Sequence, residues 1–188
     1  MTRTMDNLYT AYDSFLKNTK LSVEAKAILT LLNAWPESEK KDGHCTARQI
    51  QYFLHLSETR YRKHMSFLEN EGYVQSWSTR CLGQKRSEIV TVKEGAVGPE
   101  PASVSIWIVA SDPNIPITAK VVYAYLHRIA ENGQGKLPLG KMLLDLGISG
   151  NTARRYLRLL EQASLIEVAH ADEERRQSPW TFTILAGT

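Results

Sequence analysis

Apolar residues recur at helical spacing in two stretches of the chain that are laid out alike. Between Ser149 and Ile166, Ala153, Tyr156, Leu157 and Leu160 stand at i, i+3, i+4 and i+7, which predicts an amphipathic helix with Ser149 as its N-cap. Moving back 92 positions lays Ser57 on Ser149, Arg62 on Arg154, Lys63 on Arg155, Leu68 on Leu160 and Glu69 on Glu161. The apolar stripe moves with them: Tyr61, His64, Met65 and Leu68 occupy the matching places, and Tyr73-Val74 echo Leu165-Ile166 beyond a break at Gly72 or Ser164. Two copies of so long a unit point to two similar domains in one chain and not to a solenoid.

The flanking patterns extend the repeat. A helix capped by Ser22, with Glu24 in its first turn, uses Ala25, Ile28, Leu29 and Leu32 as its apolar face and stops near Trp35-Pro36. Thr46 caps a second helix through His55 that buries Ile50, Phe53 and Leu54, and a short turn leads to the helix at Ser57. Tyr73 to Trp77 and Ile89 to Val92 read as paired strands around a basic bend carrying Arg80, Lys85 and Arg86. The second round opens at Thr118 with Val121, Val122, Tyr125 and Leu126. It continues through a loop at Glu131 to Gly135, a helix over Leu139 to Leu146 ended by Gly147, the helix at Ser149, and strands over Leu165–Ala169 and Trp180–Leu185. Lys93 to Pro116 reads as a linker by its Gly95, Gly98, Pro99 and Pro101, with Val104 to Val109 as an added strand. Leu8, Tyr9, Tyr12, Phe15 and Leu16 predict a short N-terminal helix docked on the first domain. The expected layout is an α+β chain of two tandem helix-helix-helix-hairpin domains: residues 1–92 with the N-terminal arm, a linker at 93–116, and residues 117–188.

Certain stretches carry a family resemblance. They are Leu21-Ser22-x-x-Ala25-Lys26, Ile117-Thr118-Ala119-Lys120-Val121-Val122-Tyr123, and the turn Leu146-Gly147-Ile148-Ser149-x-x-Thr152. Over residues 21–92 and 117–185 the chain resembles the winged helix-turn-helix domains of plasmid and phage replication proteins and related transcription regulators. The resemblance implies a mainly helical fold with hairpin wings and binding of double-stranded DNA.

Charge placement agrees with that implication more than charge total does, since the net charge is only +3. Opposite the apolar stripe of the last long helix lie Asn151, Arg154, Arg155 and Arg158, with no acid on that surface before Glu161. Guanidinium forks and an amide are the groups that pair with guanine, adenine and phosphate. The matching first-domain surface carries Ser57, Thr59, Arg60, Arg62, Lys63 and Ser66, less basic but followed by the basic bend. In the second bend, Arg175 and Arg176 follow Asp172, Glu173 and Glu174, whose charge opposes phosphate.

Two cysteines, Cys45 and Cys81, make neither a disulfide framework nor a zinc cluster, and no histidine pair flanks a single apolar residue to hold a metal. A lysine-bearing Gly-rich phosphate loop is also missing, so no catalytic residues and no cofactor are expected. No apolar run of membrane-spanning length and no signal-peptide core is present, and the expected setting is the cytoplasm, in association with a nucleoid or plasmid. The expected partner is duplex DNA, with a homodimer or nucleoprotein partner compatible with it. A tandem protein-interaction module of a chromosome-organising complex is the alternative.

Overall fold

The structure is a computed structural model describing residues 15–34, 45–79, 87–93, 104–137, 139–169 and 180–185. Among these residues the fold is α+β, with seven helices and two three-stranded antiparallel sheets. The first half runs α1 (Val23–Ala34), β1 (Cys45–Thr46), α2 (Ala47–Leu54), α3 (Glu58–Asn70), β2 (Val74–Thr79) and β3 (Ser87–Val92). Helix α4 (Val104–Ser111) follows. The second half repeats the order as α5 (Ile117–Ile129), β4 (Gln134–Leu137), α6 (Leu139–Leu146), α7 (Gly150–Gln162), β5 (Ile166–Ala169) and β6 (Trp180–Ile184). Both sheets place the strand that ends the half in the middle: β1-β3-β2 and β4-β6-β5.

The 92-residue offset holds down to single hydrogen bonds. Helix α2 ends at His55, in the left-handed region with φ 48°, and α6 at Gly147 with φ 66°. In both halves the following amide closes the turn: Leu56 N donates to Gln51 O at 3.0 Å and Ile148 N to Leu143 O at 3.2 Å. Helix α3 is followed by Gly72 (φ 80°) and α7 by Ser164 (φ 54°), with Tyr73 N to Leu68 O at 2.9 Å matched by Leu165 N to Leu160 O at 3.0 Å. A glutamate on each long helix ties down the strand beyond: Ser76 Oγ donates to Glu69, and Val168 N to Glu161 Oε1 at 3.1 Å. Glu161 therefore anchors a hairpin strand.

Four sequence expectations need correction. Val104 to Val109 belongs to helix α4 and not to a strand; Val109 and Ala110 are buried, and α4 packs on α1, α2 and α5. The stretch Glu131 to Gly135 is a tight hairpin turn running into β4. Asn132 and Gly133 take φ 53° and 78°, and Glu131 and Gln134 exchange both backbone hydrogen bonds. Gly135 is required there, since a Cβ would lie 2.7 Å from the Phe182 ring. Phe53 is half-buried and edge-packed on Tyr52, while Ile50 and Leu54 are fully buried as expected. Helix α5 begins at Ile117, one residue before Thr118, and Pro116 caps it without a side-chain bond. Of the N-terminal pattern, Phe15 and Leu16 are helical and buried in the core; Leu8, Tyr9 and Tyr12 lie outside the described residues.

Helices α1 and α5 are buried on almost every side, because each faces its own half and the other. The buried residues of both halves form one continuous core. Two lysines sit inside it: Lys26 is 0 % exposed and Lys120 2 %. Lys26 Nζ donates to Asp145 O near the end of α6 at 2.6 Å, and Lys120 Nζ to Phe53 O near the end of α2 and to Ala110 O at 2.8 Å. The last carbonyls of a helix carry the negative end of its dipole, which partly offsets the cost of burying an ammonium group. Burial still pushes both lysines down to about 8, against the pull of Asp145 on Lys26 and of Asp112 on Lys120.

Candidate nucleic-acid interface

Helix α7 is fixed from beneath and bare on top. Ser149 Oγ accepts from Thr152 N at 3.2 Å, which caps the first turn. Ala153, Leu157 and Leu160 are buried, and this sets the helix rotation. Asn151, Arg154, Arg155 and Arg158 are all exposed on the opposite face. Arg155 lies over the Tyr156 ring, 5.4 Å from its centroid. Arg60 and Arg62 form ion pairs, whereas none is formed among the described residues by Arg154, Arg155 or Arg158. A cleft between α7 and its hairpin is lined by Arg154, Arg158, Glu161 and Trp180, with Glu161 engaged by Val168. Three exposed guanidinium groups and an amide on one ridge, with no ion pair among the described residues, can donate bidentately to base edges or to phosphate oxygens.

Helix α3 has the same frame and a different surface. Its buried side is Tyr61, Met65 and Leu68, and Thr59, Arg60, Arg62, Lys63 and Ser66 are exposed. Ser57 is exposed too, but its hydroxyl is taken up in capping, accepting from Arg60 N at 3.4 Å. Arg60 pairs with Glu24 of α1 at 2.5 Å, and Arg62 pairs with Glu58 one turn earlier at 2.5 Å. The Arg62 guanidinium and the Gln51 amide hold Glu58 below the usual carboxylate range, so this acid stays ionised. Burial pushes Glu24 up, but its own backbone amide and Arg60 outweigh that and leave it lowered. The cleft in front of α3 is lined by Arg48 and Arg62 but also by Glu58 and Glu88. Half-buried His64 lies 3.2 Å from Ser22 Oγ through Nδ1, and burial lowers its basicity, as suits a packing residue.

The structure thus brings Asn151, Arg154, Arg155 and Arg158 together on one open ridge, and Thr59, Arg62, Lys63 and Ser66 on another. Arg60 is diverted to Glu24. Arg80, Lys85, Arg86, Arg175 and Arg176, with the acids at 172–174, lie outside the described residues. Glu58 and Glu24 were missed as modifiers of the first ridge; the first was readable from its i,i+4 spacing to Arg62, the second only from the packing of α1 on α3. Among the described residues, no group of three or more His, Cys, Asp or Glu is placed to hold a metal ion, and no helix is long and apolar enough to cross a membrane. No protein-family model matches the chain, and no curated protein does.

Proposed function

We propose that the chain is a sequence-specific double-stranded DNA-binding protein built from two tandem winged helix-turn-helix units. It is not an enzyme, and it regulates transcription or initiates replication of a plasmid- or phage-type element. The observation that carries this reading is the α7 ridge. Asn151, Arg154, Arg155 and Arg158 are solvent-facing, share one side of a capped helix that follows a tight turn, and pair with no acid among the described residues. In each half the second and third helices, joined by a left-handed residue and a capping serine, with a hairpin after them, match the order of a winged helix. Helix α7 is the principal base-reading element, and α3 with its hairpin contributes a weaker contact.

The test is selection of duplex sites from a random library with the full chain, followed by affinity measurements at two salt concentrations. The expected result is an enriched motif whose binding weakens steeply with salt, as phosphate contacts release counterions. Arg154→Ala and Arg158→Ala should each cost about 1–3 kcal/mol, roughly 5- to 150-fold in affinity, and blur the motif at one position. Failure to enrich any motif overturns the reading. It would favour an interaction module in a nucleoprotein or chromosome-organising complex. That reading draws on Tyr52 and Leu144, which stand 63 % and 75 % exposed at equivalent places on α2 and α6.

A further inference from the structure

The contacts between the halves are reciprocal. Lys26 and Lys120 occupy matching places on α1 and α5, each following an alanine that is fully buried. Phe53 and Asp145, related by the 92-residue offset, are the second-to-last residues of α2 and α6. The lysine of the first half reaches the carbonyl of Asp145 in the second, and the lysine of the second half reaches the carbonyl of Phe53 in the first. When surface i meets j and the equivalent of j meets the equivalent of i, the two bodies are related by a two-fold rotation, as in an isologous dimer. A translational, head-to-tail arrangement would give one such contact and not its mirror. One cleft fits the same relation: it is lined by the first turns of both α1 (Val23, Glu24) and α5 (Ile117, Thr118), and bordered by Arg60 of α3 and Tyr156 of α7. One residue of each long helix therefore borders a single opening between the halves. Helix α4 and the continuous core lock the arrangement.

Resting on the DNA-binding reading, we infer that one chain acts as a built-in dimer whose target is a duplex carrying two half-sites in inverted orientation at one fixed spacing. Inverted order follows because a two-fold axis across a duplex exchanges its strands. Fixed spacing follows because the buried lysines and shared core leave no slack between α3 and α7. The half-sites differ in sequence, since Thr59 faces one and Asn151 the other, and Ser66 one and Arg158 the other.

The experiment makes the two ridges alike while keeping the full chain. Glu58→Gly, Thr59→Asn, Lys63→Arg and Ser66→Arg give α3 most of the α7 surface, all at exposed positions. Thermal unfolding checks that the variant is folded, and its preferred sites are selected from random duplexes. A palindromic consensus supports the inference. In the wild-type protein, inserting ~5 base pairs, half a helical turn, between the half-sites should then cut affinity at least 10-fold. A consensus in direct repeat, a lone half-site, or indifference to the insertion overturns the inference and leaves the DNA-binding reading standing. If neither protein enriches any sequence, both fall together.

Discussion

The two long helices share a frame and differ in what surrounds their arginines. Arg62 and Arg154 stand at equivalent positions, yet Arg62 is neutralised by Glu58 one turn earlier, where α7 has Gly150. Glu88, which lines the cleft before α3 and lies 3.3 Å from the Tyr61 hydroxyl, is replaced on the second side by Trp180. Ser66 becomes Arg158. An exposed ion pair adds little to stability, but it sets the field that a phosphate meets. The same helix, capped and buried alike, thus carries two paired arginines in one half and, among the described residues, no paired arginine in the other. Duplicated scaffolds can diverge through a few surface residues while every core position keeps its role.

The largest expected effect tests the shared frame. Met65→Ala and Leu157→Ala, at equivalent buried places, should each destabilise by about 2–5 kcal/mol in chemical denaturation. Because the core is continuous, each should lower one common transition; two separate transitions would break the picture of interlocked halves.

The buried lysines give the next prediction, with a definite sign. Their folded-state values near 8 lie below the ordinary 10.5, so between about pH 8 and 10 the folded protein has shed protons that the unfolded chain retains. Stability from these two groups therefore rises with pH across that window, and below pH 8 the cost of the buried charge is fully present. Burial pushes the Cys45 thiol and the Tyr61 hydroxyl up, and these work the other way at higher pH. The readout is accordingly a difference: wild type minus Lys26→Met/Lys120→Met in urea titrations across pH 7 to 10. The wild type should gain relative to the variant as pH rises, and a flat difference would contradict the account.

A smaller effect sharpens the equivalence of the helix starts. Ser57→Ala and Ser149→Ala each remove a first-turn acceptor and should each cost about 1 kcal/mol by thermal unfolding. Unequal costs would mean that the two caps do not play the same part.

The open ridge was legible because burial of Ala153, Leu157 and Leu160 fixes the rotation of α7, and periodicity alone then places Arg154, Arg155 and Arg158 outward. The offset of 92 likewise carried the repeat through Gly72 and Ser164. Strands β1 and β4 escaped for different reasons. A two-residue strand has no period, whereas Asn132-Gly133 is a recognisable hairpin signal hidden by the further glycine at Gly135. Val104 to Val109 is rich in β-branched residues and reads as a strand, but the segment forms a helix that packs on α1 and α5, where tertiary contacts override propensity. Periodicity gives α1 a single apolar face of Ala25, Ile28, Leu29 and Leu32, whereas the helix is buried on almost every side. What it buries against depends on chain-distant contacts that no local pattern carries.

The central claim is that the missing acid at Gly150 makes α7 the stronger DNA-facing helix. A Cβ at Gly150 would meet only Leu143 and Arg154 at 3.7 and 3.8 Å, ordinary van der Waals contact, so the backbone there accepts a side chain. The direct measurement is affinity for the selected duplex of Gly150→Glu and Glu58→Gly, each against wild type, at one salt concentration. The account predicts a loss of about 10-fold for Gly150→Glu, the scale of one silenced arginine contact, and a modest gain for Glu58→Gly, which frees Arg62. Unchanged binding in Gly150→Glu, or tighter binding, would contradict it.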